Sequence, residues 1–208
     1  RQHYPYQERG PALARWDDHL RLIAADRTLR EVILSGGDPL MLTDAQIARL
    51  LESLREIPHL ERLRLHTRLP VVLPARVTDA LCEILTAGRL TPVVVIHANH
   101  PRELGAEADA ALGRLQRAGA RLLNQSVLLR GVNDDARVLA ELSERLFACG
   151  VMPYYIHQLD AVAGAAQFQV DDHQARRLMA TLRGQVAGYL VPRLVREIPG
   201  EPSKTWIG

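Results

Sequence analysis

The sequence predicts an α/β fold, with parallel strands and their helices packed outside, arranged as a barrel rather than an open sheet. Three observations predict it. Short apolar runs alternate along the chain with longer amphipathic stretches. The ends of the apolar runs fall near Ser35, His66, His97, Gln125 and His157, a spacing of about 30 residues, which is the length of one strand-plus-helix unit. Polar side chains gather at those same ends, the face on which β/α barrels build their sites. An open dinucleotide-binding sheet would want GxGxxG after its first strand, and that fingerprint is absent.

Each element follows from its residues. Residues 31–35 read as a buried strand, and Thr43 with Gln46 three positions on reads as a capping box. Ile47, Leu50, Leu51 and Leu54 then fall on one helix face. A strand at 63–66 precedes a helix at 78–86, with Gly88 as its stop. The run 92–97 is the clearest strand; a helix over 103–118 follows and ends at Gly119. A strand at 121–125, a helix over 133–149 ending at Gly150 and a strand at 152–157 complete five units. The last helix is expected at 171–186 and a final extended segment at 190–198.

Composition narrows the function. A chain of 208 residues is long enough for one domain with a sizeable core, or two small ones. With 26 basic against 24 acidic residues and 4% aromatic residues, there is no electrostatic or stacking case for nucleic acid. No apolar stretch approaches the roughly 20 residues that span a bilayer, so no membrane role is expected. Cys82 and Cys149 lie far apart without CxxC spacing, which points to two core thiols and a reducing, cytoplasmic setting. The chain opens on RQHYPYQE, with neither an initiator Met nor a signal peptide, and reads as part of a longer one.

Several strand ends could carry chemistry. Ser35, Gly36, Gly37 and Asp38 follow a strand directly, and two glycines let backbone approach a ligand closely. Alone, such a run is more often a plain turn. Asp160 lies just past a strand, where a carboxylate could hold a cation or simply cap a loop. Lys204 stands in a Gly/Pro-rich loop of a chain whose positive charge is nearly all arginine; an amine can bond covalently to a carbonyl, and a guanidinium cannot. His66, His97, His100 and His157 raise the thought of a metal hydrolase, but the HxH pair expected on a first strand is missing.

With these residues assembled, the chain resembles the lysine 2,3-aminomutase family of radical S-adenosylmethionine (SAM) enzymes. The segments carrying the resemblance are RQHYPYQE (1–8), SGGDPLM (35–41), HTRLPVVLPARVT (66–78), NQSVLLRGVND (124–134), MPYYIHQLDAVAGAAQF (152–168) and GYLVPRLVREIPGEPSKT (188–205). The GEPSKT ending is similar to the branch that makes β-lysine for bacterial elongation factor P.

The resemblance implies a partial (β/α)₆ barrel over 1–190, here without its first strand and cluster loop, and a C-terminal segment over 191–208 that carries the cofactor lysine. It implies a [4Fe–4S] cluster held by a CxxxCxxC loop just upstream of Arg1, with SAM on the cluster, and pyridoxal phosphate (PLP). A 5′-deoxyadenosyl radical would abstract hydrogen from lysine held as an imine on PLP, and the amino group would move from C2 to C3. Residue by residue, Lys204 matches the lysine that bonds to PLP. Asp160 and, less closely, Glu197 match carboxylates that grip the substrate ε-ammonium, and Arg1 matches the partner of the substrate carboxylate. Ser35, Gly36, Gly37 and Asp38 match the segment at the SAM methionine amino group, with His97 and Gln125 as polar groups near SAM. The partners implied are L-lysine and the elongation factor P pathway, with a homo-oligomer left open. The alternatives are the same reaction on free lysine for catabolism, or a cluster-less scaffold that binds elongation factor P or its ligase.

Overall fold

A computed structural model describes residues 12–160, 164–201 and 203–207. The expected alternation is present. In chain order it runs α1 (Ala12–Ala25), β1 (Glu31–Leu34), α2 (Asp44–Arg55), β2 (Arg62–Thr67), α3 (Leu69–Val72), α4 (Asp79–Thr86), β3 (Thr91–Ile96), α5 (Ala106–Arg117), β4 (Arg121–Val127), α6 (Ala136–Ala148), β5 (Met152–His157), α7 (Asp172–Arg183), β6 (Arg193–Arg196) and β7 (Thr205–Trp206). Strands β1 to β6 pair in sequence order, all parallel, and β7 returns antiparallel on β6. The extended segment expected at 190–198 therefore becomes a sixth parallel strand, one more than the five apolar runs indicated.

Alternation along the strands fixes which residues face the helices. Leu63, Leu65 and Thr67 are each 1% exposed, while Arg62, Arg64 and His66 between them are half-buried on the opposite, concave face. The core lies between sheet and helices. Leu63, Leu65, Val94, Ile96 and Leu122 meet Ile47, Leu51, Leu54, Leu81, Leu85, Leu112 and Leu115 there, and Trp16, Leu20 and Ile23 of α1 pack against the same cluster. A second cluster joins Ile156 and Leu194 to Leu139 of α6 and Met179 and Leu182 of α7.

Helix ends follow local chemistry. The capping box at Thr43 is present, with Gln46 N–H donating to Thr43 Oγ1 and Thr43 N–H to Gln46 Oε1 at 2.9 Å. α4, α5 and α6 stop before Gly88, Gly119 and Gly150, and Gly150 adopts φ +74, the left-handed geometry of a helix stop. Two expected starts move. The helix expected from Glu103 begins at Ala106, because Glu103 Oε1 instead accepts the Asn99 and His100 backbone N–H groups in a short 3₁₀ turn, Pro101–Glu103. The helix expected from Asn133 begins at Ala136, capped by Asp135, whose carboxylate accepts Arg137 N–H. α1, the short α3 and β7 were not foreseen.

Candidate active site

The concave face collects the ring and amide side chains of successive strand ends. His66 at the end of β2 lies 5.9 Å, ring to ring, from His97 just past β3. Across the β4–β5 pair, Gln125 is opposite Tyr155 and Val127 opposite His157, after a register shift at Asn124/Gln125. Tyr155 and His157 meet edge to face at 5.8 Å. Lys204, delivered by the turn between β6 and β7, places its Nζ 5.9 Å from the Tyr155 ring centre and donates to Glu197 Oε1 at the end of β6.

His66 Nε2, His157 Nε2 and Gln125 Oε1 are buried without a hydrogen-bond partner among the described residues, and buried polar atoms are ordinarily paired. His157 is only 8% exposed. Burial, followed by the nearby Lys204 charge, pushes the His157 pKa down to about 4. Burial and then His97 bring His66 to about 4 as well. Both rings are therefore neutral at neutral pH and offer hydrogen bonds without positive charge. The Lys204 ammonium holds the Glu197 carboxyl below its usual range.

The expected site residues divide. Lys204, Glu197, His97 and Gln125 share the concave face. Asp160 is exposed three residues beyond β5, with no side-chain partner among the described residues. Arg1 lies outside the described residues. The turn 35–37 is exposed, and a Cβ added at Gly36 or Gly37 would meet nothing within 4 Å, so the backbone is open to a ligand. Gly37 stands at φ +64, which suits glycine. Asp38 differs from its three neighbours: its carboxylate is spent inside the fold. It accepts Thr67 Oγ1–H and Arg68 N–H, each at 2.7 Å, and Leu40 N–H at 3.0 Å.

Other strand-end polar groups turn outward and stitch loops together. Asn124 clamps the Ala98 backbone, accepting its N–H at 2.9 Å and donating to its carbonyl at 3.0 Å. Asn133, fully buried, accepts Leu129 N–H and donates to the Asn99 and Val127 carbonyls. Gln158 donates to Asp172. His66, His157 and Tyr155 are the site residues that motif matching did not assign. The strand-end histidines were a usable signal; Tyr155 had none.

The described residues contain no group of three or more His, Cys, Asp or Glu fit to hold a metal ion. Cys82 is buried in α4, and burial raises its thiol pKa. Cys149 caps α6 and donates to Asp109 Oδ1 at 3.0 Å, and burial followed by that bond pushes its pKa to about 12. Neither thiol is positioned as a cluster ligand. PLP and SAM do fit the chain: the first by a reachable amine beside orphaned polar atoms, the second by an open glycine turn. No helix among the described residues is long and apolar enough to cross a membrane.

No family model matches the sequence. The chain is 52% identical over 205 residues to an L-lysine 2,3-aminomutase of Escherichia coli, covering 99% of this chain and 60% of that protein. It is 50% identical over 205 residues to an L-lysine 2,3-aminomutase of Haemophilus influenzae, covering 99% and 61%. An L-lysine 2,3-aminomutase of Clostridium subterminale is 41% identical over 194 residues, covering 93% and 46%. The chain thus spans about three fifths of the length of the first two. Among solved structures, Streptococcus suis SuiB superimposes with a TM-score of 0.64 at 15% identity over 93% of this chain and 44% of its own. A radical SAM methyltransferase from Sphaerobacter thermophilus gives 0.57 at 20% identity over 85% and 53%. These two likenesses establish the fold.

Proposed function

We propose that this chain, matched over 99% of its length by L-lysine 2,3-aminomutases, presents in the full-length gene product a concave face that binds L-lysine for migration of the amino group from C2 to C3, giving β-lysine. The observation that carries this reading is the meeting of Lys204, Glu197, Tyr155 and three orphaned polar atoms on one face of a half-barrel. Lys204 is the residue that would hold PLP, and the turn 35–37 would hold the methionine end of SAM. When bound, PLP supplies a covalent anchor for the migrating nitrogen and SAM on a [4Fe–4S] cluster supplies the hydrogen-abstracting radical. This chain has no ligand set for the cluster.

The chain's own residues hold and orient. Glu197 keeps the Lys204 amine on the concave face, and its carboxylate becomes available to the substrate ε-ammonium once Lys204 is engaged elsewhere. Asp160, exposed three residues beyond β5 and without a side-chain partner among the described residues, offers a second carboxylate for the same cation. His66 and His157, neutral above about pH 5, hydrogen-bond polar groups without repelling an ammonium. Gln125 adds an acceptor and His97 a ring beside them. The GEPSKT ending supports β-lysine destined for elongation factor P, made in the cytoplasm.

The experiment is turnover. Full-length protein, reconstituted anaerobically with iron, sulfide and PLP and supplied with SAM, dithionite and L-lysine, should yield β-lysine by chromatography. A protein that cleaves SAM reductively yet leaves L-lysine unchanged would overturn the substrate assignment.

A further inference from the structure

Asp38 sits beside two glycines that no side chain restrains, yet its carboxylate points back into the fold. Thr67 Oγ1–H and Arg68 N–H, at the end of β2, both donate to it across a sequence gap of about 30 residues, and Leu40 N–H completes the set. Thr67 is 1% exposed and faces the helices, so it has no access to a ligand on the concave face. Its hydroxyl also accepts Leu69 N–H at 3.1 Å, so a chain of hydrogen bonds runs from the start of α3 through Thr67 to Asp38. Further along the same loop, Arg76 donates to the Leu40 and Leu42 carbonyls at 2.8 and 3.0 Å. The 3₁₀ turn Pro39–Met41 is thereby held from both sides, and residues 35–37 run between it and the end of β1, with Asp38 as the tie to β2.

We propose that Asp38 is a positioning residue that, through buried Thr67, fixes the turn 35–37 in the shape that receives SAM, and does not itself bind the SAM ammonium. The inference rests on the reading that this turn binds SAM. A ligand carboxylate would have oxygens free toward the turn's open side. Here both oxygens already accept bonds from within the fold, one from Thr67 and Leu40 and the other from Arg68, whereas the turn 35–37 is exposed and its two glycines are open to a ligand.

The test measures SAM affinity by calorimetry in the full-length, cluster-reconstituted protein, beside the melting temperature. Asp38→Asn and Thr67→Val should each weaken SAM binding by about tenfold, and the double variant should be no weaker than the worse single, as expected for two members of one interaction. Thr67→Ser, which keeps the hydroxyl, should bind SAM within about twofold of the parent. Thr67→Ala replaces the valine form if that fails to fold. Loss of affinity in Asp38→Asn with none in Thr67→Val would make Asp38 a direct ligand and overturn the proposal. Additive losses would overturn it too, as would melting temperatures that fall while SAM affinity holds. Gly37→Val separates the two levels of the argument. If it alone abolishes SAM binding, the turn is the SAM site and only the role given to Asp38 fails. If Gly37→Val, Asp38→Asn and Thr67→Val are all silent, the assignment of the turn itself fails.

Discussion

His157 is buried and His66 half-buried, both as neutral imidazoles, with folded pKa values of about 4 against 6.5 for the free side chain. The unfolded chain takes up protons between those values while the folded chain does not. Stability is therefore full above about pH 6.5 and declines as pH falls toward about 4. Urea midpoints measured across that window should drop as the solution is acidified, and His157→Gln should flatten the drop. A flat profile in the parent would contradict the burial of these rings. Asn133 gives a second test. Asn133→Ala strands the Leu129 N–H and the Asn99 and Val127 carbonyls, and should cost about 2–4 kcal/mol in urea unfolding; a loss under about 0.5 kcal/mol would remove it from the loop framework. At this scale the sequence showed that strand ends were polar but not which way they pointed. Asn124 and Gln125 are adjacent, and only the pleat, with the register shift between them, turns one outward as a clamp and the other inward. The Thr67 partner of Asp38 lies 29 residues away, beyond any local pattern.

At the scale of elements, strands were legible wherever apolar runs are long, and helices wherever caps are explicit. Thr43→Ala removes one side of a capping box seen in both sequence and structure and should cost about 1 kcal/mol by thermal or urea unfolding; no measurable loss would mean that α2 is held by packing alone. α1 went unseen although Trp16, Leu20 and Ile23, which pack on the core, stand at the i, i+4, i+7 spacing of one helix face. β7 went unseen because two residues carry no periodicity. It nevertheless matters, since its pairing with β6 brings Lys204 back to Glu197. That ion pair has a Glu197 side chain 57% exposed, so it orients rather than stabilises. Glu197→Gln should shift unfolding free energy by less than about 1 kcal/mol while altering how Lys204 reacts. A larger stability loss would make the pair a structural tie.

For the whole molecule, the half-barrel was legible because its repeat is a property of the entire chain, and the family because several motifs occur in order. The concave assembly was not, because sheet curvature brings together residues from β2, β5 and the β6–β7 turn that are separated by up to 138 positions, from His66 to Lys204. The same view explains the cysteines: both lie in or beside helices, buried and raised in pKa. The 208-residue chain, given iron and sulfide anaerobically, should show no absorbance near about 400 nm, since cluster assembly needs thiolates. Lys204 is the sole lysine of the sequence, which makes the central claim, that the concave face is a cofactor and substrate site built around this amine, directly measurable. Full-length protein loaded with PLP, reduced with borohydride and mapped by peptide mass should carry the label on Lys204. Label on any other lysine, with Lys204 unmodified, would contradict the account.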